Sequence, residues 1–270
     1  MFEIYIKFLN AGFCLFLKVS DFKNNLKMPD FKIDFNYKRI LLKLSGEVLA
    51  GEKRFGHDFE VINNFALKLK KLRESGLEIA IVVGGGNLIR GRDIKIYGVD
   101  NVRADYMGML GTVMNAIALK DALERIDVKT EILSAVAMPP IADLFNRERA
   151  IKFLSEGKIL IFAAGTGHPF FSTDTASALR CAEIKADCMI KGTKVDGIYD
   201  SDPVKNPNAK FIPFMTYSDA LKNNINVMDA AAFAICRDNK IPVIVTNIQN
   251  DNWAENLINN NIKCTLVREA

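Results

Sequence analysis

Residues 78–90 read EIAIVVGGGNLIR. Six residues, nearly all apolar and rich in β-branched side chains, run without alternation into three consecutive glycines. An unbroken apolar run of that length fits a strand covered on both faces, as in a parallel sheet flanked by helices. The glycines after it let the backbone approach a ligand closely and aim successive amides at oxyanions. Arg90 stands four residues past the last of them.

The same grammar repeats outward in both directions. Residues 39–44 (RILLKL), 130–134, 158–163 (KILIFA), 188–191, 241–246 (IPVIVT) and 263–267 also read as strands. Between them, residues 60–75, 104–125, 147–156, 173–184, 229–239 and 252–259 carry helical periodicity. Alternating β and α elements predict an α/β fold, a three-layer α/β/α sandwich with a mostly parallel central sheet. No internal repeat, low-complexity tract or Pro/Gly/Ser-rich linker divides the chain, so residues 37–270 read as one domain.

In such a sheet, ligands bind where the strands end. Three glycine-bearing turns fall there: KLSG (43–46), GGGNLIR (84–90) and GTGHPFFSTD (165–174). One such loop is weak evidence, because glycine also simply makes tight turns. Three of them, two carrying Lys43 or Arg90, form a pattern suited to phosphate groups, with a helix N-terminus after each turn adding positive potential. The G-x-x-x-x-G-K-[ST] pattern is absent, and the three glycines lack the spacing of a dinucleotide fingerprint. Lys43, taken alone, reads equally well as a surface lysine bordering a turn or as an ammonium reaching between two phosphates.

The loop at 165–174 is the most specific segment. Thr166, Ser172 and Thr173 supply hydroxyls, and Pro169-Phe170-Phe171 places a rigid apolar element inside a polar loop, against which a base could pack. Asp174 opens a helix, where a carboxylate also complements the helix dipole. The run KGTKVDGIYDSDP (191–203) forms another strand-to-turn site, whose tyrosine suits a purine or is incidental to a solvated turn.

Composition bounds the partners. The 270 residues are 49% hydrophobic and 25% charged, with net charge +4. That mild excess of positive charge suits anionic substrates without requiring them. Basic residues are not interleaved with aromatics in a stripe, so no nucleic-acid partner is expected. Five scattered cysteines read as reduced, packed thiols of a cytoplasmic protein, and no cluster has metal-ligand spacing. The apolar stretch at 8–19 is shorter than the roughly 20 residues of a membrane helix and lacks the flanks of a secretory signal, so no membrane partner is expected. Residues 1–36 are expected to be a disordered extension or an overlong start assignment, with Met28 just before the first convincing strand.

With these residues in view, the sequence resembles the bacterial uridylate kinases of the amino-acid-kinase superfamily. KLSGE (43–47), GGGNLIRG (84–91), ADYMGMLGTVMNA (104–116), GTGHPFFSTD (165–174) and KGTKVDGIYDSDP (191–203) follow one another in the family's order, from about Tyr37 to the C-terminus. The resemblance implies transfer of the γ-phosphoryl group of ATP to UMP, with Mg2+ accompanying ATP. It implies that Lys43, Leu44, Ser45, Gly46, Gly86, Arg90, Thr193, Tyr199 and Asp202 bind ATP. It assigns UMP to Gly85, Asp105, Thr166, Gly167, His168, Pro169, Phe170, Phe171, Ser172 and Thr173. Lys43, Arg90 and Asp174 would be the catalytic set, with Asp174 orienting Lys43. Gly51, Glu52, Lys53, Arg54, Phe55 and Gly56 fall where the family carries a segment implicated in activation by GTP. A homohexamer inhibited by UTP is also implied. Two departures stand out: His168 occupies a position where the family often has Asn, and nothing before Tyr37 has a family counterpart. The rival readings are a superfamily kinase acting on carbamate, glutamate or aspartate, and a non-catalytic nucleotide- or oxyanion-binding protein on the same scaffold.

Overall fold

The computed structural model describes residues 35–53, 55–90, 97–222, 225 and 227–269. The expectation for residues 1–36 therefore lies almost wholly outside the described residues. Its last two positions are described. Phe35 donates its backbone N–H to Asn260 Oδ1 at 3.0 Å and meets Tyr37 edge-on, so this residue packs against the domain.

In chain order the strands are β1 (Arg39–Leu44), β2 (Glu78–Val83), β3 (Thr130–Ser134), β4 (Asp143–Leu144), β5 (Ile159–Ala163), β6 (Cys188–Thr193), β7 (Ile198–Tyr199), β8 (Phe211–Ile212), β9 (Phe214–Met215), β10 (Val243–Asn247) and β11 (Cys264–Val267). The helices are α1 (Glu47–Ala50), α2 (Phe59–Glu74), α3 (Asn101–Glu124), α4 (Arg147–Ser155), α5 (Thr173–Glu183), α6 (Tyr217–Lys222), α7 (Ala230–Asp238) and α8 (Trp253–Ile258). A nine-stranded sheet has the order β4-β3-β5-β2-β1-β6-β10-β11-β9, while β7 and β8 pair separately. Seven strands, from β4 to β10, run parallel; β11 turns antiparallel to β10 and carries β9 with it.

The three-layer expectation holds, and strand alternation shows why. Successive side chains of a strand point to opposite faces. On β1, Ile40, Leu42 and Leu44 join the core that includes α2, α3 and α8 residues, while Leu41 joins a second core built with α4 to α7. On β2, Ile79, Ile81 and Val83 face the first core, and Ala80 and Val82 the second. Both faces are thereby covered, which is why these strands read as unbroken apolar runs rather than alternating ones.

Capping side chains set several helix starts. Asp58, Asp100, Asn146, Ser172 and Asp229 each accept backbone N–H bonds at the first turns of α2, α3, α4, α5 and α7. An N-cap of this kind satisfies amides that have no partner within the helix. Two expected boundaries move for local reasons. Helix α3 begins at Asn101, three residues early, because Asp100 caps it. Strand β10 begins at Val243 because Pro242 has no N–H to give; its carbonyl still accepts Met189 N at 2.9 Å.

Candidate active site

Strands β1, β2 and β5 lie next to one another in the sheet. Their three glycine-bearing turns therefore leave the same edge side by side. Gly84 N donates to Leu44 O at 2.9 Å, joining the first two turns. A Cβ on Gly46 would stand 2.3 Å from both Gly84 O and Asn87 Oδ1, so nothing larger than glycine fits where these turns touch. Leu44 itself is fully buried in the core, so only its main chain belongs to the site.

A cavity of about 730 Å³ opens at this edge. Its wall combines Glu47 from α1, Gly85, Gly86, Ile89 and Arg90 from the turn after β2, and Ala104, Asp105, Gly108, Met109 and Thr112 from α3. Gly165, Thr166, Phe171, Ser172 and Thr173 complete it from the turn after β5. The geometry thus brings together Gly85, Gly86, Arg90, Asp105, Thr166, Phe171, Ser172 and Thr173 among the residues expected at the site.

Polar bonds brace this wall. Thr112 Oγ1 donates to Met109 O at 2.6 Å and accepts from Ala164 N at 2.8 Å, tying α3 to the start of the third turn. Asn115, fully buried on α3, donates to Gly84 O at 2.7 Å and also bonds Asn87 and His57 Nε2. Asn87 donates to Gly56 O at 2.8 Å while its own carbonyl accepts Gly56 N. The segment expected to respond to GTP is therefore fastened to the glycine turn through Gly56. Its other described members, Gly51, Glu52, Lys53 and Phe55, are exposed; Arg54 lies outside the described residues.

Lys43 and Asp174 sit beside the cavity rather than in its wall. Lys43 Nζ lies 2.8 Å from Asp174 Oδ1, and both side chains are largely buried, at 12% and 14% exposure. Lys191 Nζ reaches the other carboxylate oxygen at 2.6 Å. Burial works to raise the Asp174 pKa, but the charges of Lys43 and Lys191 together with their hydrogen bonds outweigh it and hold the carboxyl below its ordinary value. Burial pushes Lys191 down to about 8, helped by the charge of Lys43 and opposed by Asp174 and Asp229.

The remaining expected residues are placed as follows. Arg90 donates to Glu47 Oε1 at 2.6 Å and to Gly86 O at 3.2 Å, and Glu47 also takes Lys194 at 2.9 Å. The Lys194 hydrogen bond is the main reason the Glu47 carboxyl titrates below its usual value. Ser45 and Gly46 open α1, their carbonyls accepting Val48 N and Leu49 N. Phe170 has a left-handed backbone (φ 70°), and its N–H bonds Asp105 Oδ2 at 2.8 Å; its ring is 73% exposed. His168 is exposed, and Thr166 Oγ1 spans its main chain. Gly167 and Pro169 complete the turn outside the cavity wall. Thr193, Tyr199 and Asp202 also lie outside that wall. Thr193 Oγ1 donates to Val195 O and Thr246 O, the Tyr199 ring meets Phe211 edge-on, and Asp202 caps a turn at Val204.

Sequence reasoning missed Lys191, Glu47, Asp229 and the Asn87–Asn115 pair as parts of this site. A signal for Lys191 existed: a lysine inside the apolar strand CMIKGT must find an acidic partner once buried. Asp229 caps α7 and also takes the Thr175 hydroxyl at 2.8 Å and that of Ser172.

Glycine turns from three adjacent parallel strands, a lysine held by a buried carboxylate and an arginine at the rim form an arrangement suited to phosphate groups. The profile of the Amino acid kinase family matches residues 38–247. The chain belongs to the amino acid kinase family, in its uridylate kinase branch. Across 87% of its length it is 44% identical to the uridylate kinase of Rickettsia bellii and 46% identical to that of Pseudomonas syringae pv. syringae, covering 99% and 95% of those proteins. Among solved structures, the UMP kinase from Ureaplasma parvum superposes with TM-score 0.82 at 37% identity, covering 87% of this chain and all of that one. The UMP kinase from Bacillus anthracis superposes with TM-score 0.83 at 33% identity, covering 86% and 96%.

Proposed function

We propose that the protein is a UMP kinase that moves the γ-phosphoryl group of ATP to UMP, giving ADP and UDP. The observation that carries this reading is a cavity walled by two glycine turns and bearing Arg90 and Asp105, with the third glycine turn and the Lys43–Asp174 pair beside it. A UMP phosphate oxygen attacks the γ-phosphorus in line; the new P–O bond forms as the bond to the bridging oxygen of ADP breaks. The acceptor is already ionised near neutral pH, so positioning and charge stabilisation supply most of the acceleration. Lys43 and Arg90 stabilise charge on the transferring group, Asp174 holds Lys43 in place, and Asp105 accepts from the UMP ribose.

Among the described residues no group of three or more His, Cys, Asp or Glu side chains could hold a metal ion. The donors in the cavity wall are the Arg90 guanidinium, hydroxyls and main-chain amides, with the Lys43 ammonium beside it, and these fit phosphate oxygens. In this reading Mg2+ would accompany ATP and supply neutralisation of phosphate charge. Thr193, Tyr199 and Asp202 take the ATP base and ribose in the same reading. The two cores flanking one nine-stranded sheet support residues 37–270 as a single catalytic domain. Assembly into a homohexamer, activation by GTP through residues 51–56, inhibition by UTP and a cytoplasmic location complete the proposal. They rest on the family resemblance; no described helix is long and apolar enough to cross a membrane.

A coupled assay with ATP and a panel of acceptors tests the central claim. The panel holds UMP, CMP, AMP, GMP, carbamate, glutamate and aspartate. Turnover with UMP well above all others is expected; preference for an amino acid or for carbamate would overturn it.

A further inference from the structure

We propose that Lys191 is a positioning residue of the phosphoryl-transfer centre: it holds one oxygen of Asp174 so that the other keeps the Lys43 ammonium aimed at the transferring phosphate. This rests on the UMP kinase reading above.

The argument begins with register. Strands β1 and β6 are parallel neighbours, and Lys43 is the direct partner of Lys191 across them. Both side chains point to the face opposite Leu42 and Ile190, toward the core that α5 covers. Asp174, in the first turn of α5, meets the two ammoniums with one oxygen each, at 2.8 Å and 2.6 Å. A carboxylate gripped from both sides cannot rotate, so the place of Lys43 is fixed before any nucleotide arrives.

Charge counting gives the second step. Asp174 with Lys43 alone would be neutral, and the lysine would offer phosphate little. With Lys191 added, two ammoniums share this carboxylate while Asp229 balances part of the Lys191 charge, so Asp174 neutralises Lys43 less completely. Lys191 itself is only 10% exposed and is absent from the cavity wall. Its remaining contact is a hydrogen bond to Val227 O, just ahead of α7. It therefore acts through Asp174 rather than by touching substrate.

The charged groups facing Lys191 are Lys43 from β1, Asp174 from α5 and Asp229 from the start of α7. Their balance with burial leaves its pKa at about 8. As pH rises through that value, Lys191 loses its charge and with it part of its hold on Asp174, so Lys43 is held less firmly. Arginine at this position would keep its charge throughout that range.

The test measures kcat and both KM values for wild type, Lys191→Met, Lys191→Arg, Asp174→Asn and the Lys191→Met/Asp174→Asn double variant between pH 6 and 10. Misplacing a catalytic group by about 1 Å costs on the order of 10²-fold. Lys191→Met is expected to lose about that factor in kcat, with both KM values changed less than about threefold. The double variant should be no slower than Asp174→Asn. Wild-type kcat should fall above about pH 8, and Lys191→Arg should recover part of the rate and lose that alkaline fall. Wild-type kcat in Lys191→Met, or an additive double variant, would overturn the proposal. Should Lys191→Met fail to fold, the alkaline limb in wild type and its loss in Lys191→Arg decide the matter.

Failure of the underlying reading looks different, since wild type would then phosphorylate no UMP. NMR titration of the lysine side chains separates the two cases. If the pair exists, the Lys191 midpoint falls further in Asp174→Asn; an unmoved midpoint overturns the proposal independently of activity.

Discussion

At the scale of single residues, the site is built from charges that are costly to bury and are therefore paired. Lys43 Nζ and Asp174 Oδ1 stand 2.8 Å apart as an ion pair, ready without waiting for substrate. Lys43→Ala is expected to lower kcat by about 10²–10³-fold, the usual cost of removing one preorganised charge stabiliser. Its circular dichroism spectrum should stay native; a folded variant with near-normal turnover would remove Lys43 from the transfer step. Asp105 is expected to act on binding instead. Its carboxylate already accepts the Phe170 N–H at 2.8 Å, and an ionised acceptor binds a hydroxyl more strongly than an amide oxygen does. Asp105→Asn should raise the KM for UMP several-fold with a smaller change in kcat. With an acceptor lacking both ribose hydroxyls the difference between wild type and variant should shrink, and an equal loss with both acceptors would refute the contact. The pKa shift of Lys191 also reaches stability. Its folded value, about 8, lies below the ordinary lysine value of 10.5, so between those pH values the unfolded chain binds more protons. This group's contribution to stability therefore rises as pH climbs from about 8 toward 10.5, and below 8 it is constant and unfavourable.

At the scale of elements, the turns matter through how closely they approach their neighbours. A Cβ on Gly85 would lie 2.5 Å from Gly108 O and 3.2 Å from Thr112 N, so the glycine turn packs directly on the backbone of α3. Gly85→Ala must push that helix away, and overpacking of this kind costs about 1–3 kcal/mol. A Tm lowered by about 2–4 °C per kcal/mol is expected, together with a raised KM for UMP, because Asp105 rides on the same helix. Calorimetry with steady-state kinetics checks both; an unchanged Tm would mean the turn yields freely. Most of this layer was legible in the sequence. Strands β1, β2 and β3 have the bounds expected from their apolar runs, because burial on both faces leaves an unmistakable pattern. Two-residue strands such as β4, β7, β8 and β9 are too short to carry any pattern. Glycine turns and the acids beside them were legible as a candidate phosphate site, and the fold brings them to one edge of the sheet. The bonds joining Asn87, Asn115, His57 and Gly56 were not, since bonded partners lie up to 58 residues apart and only the folded chain brings them together.

At the scale of the whole molecule, helix α3 shows a second face that the fold leaves uncovered. Its inner side, including Met109, Val113, Ala116, Leu119 and Leu123, is buried in the core shared with α2. Its outer side carries Tyr106, Leu110, Met114 and Ile117, at helical spacing and between 44% and 52% exposed. Single exposed apolar residues are ordinary, but a contiguous stripe of them marks an interaction surface. The proposed homo-oligomer supplies its natural partner, because a two-fold axis lets one stripe cover its own copy. Leu110→Glu with Met114→Glu should therefore lower the mass measured by light scattering after gel filtration, by separating copies that meet along α3. Neither residue lines the cavity, so each released subunit keeps its ligand groups. Asp105 stands one residue before the stripe, however, and a helix freed on one side holds that carboxylate less firmly. A raised KM for UMP with a smaller fall in kcat is expected to accompany the loss of mass. Unchanged mass in a folded double variant would show that the copies, if they assemble, do so through another surface. Reduced mass with unchanged KM would show that assembly and the UMP site are independent.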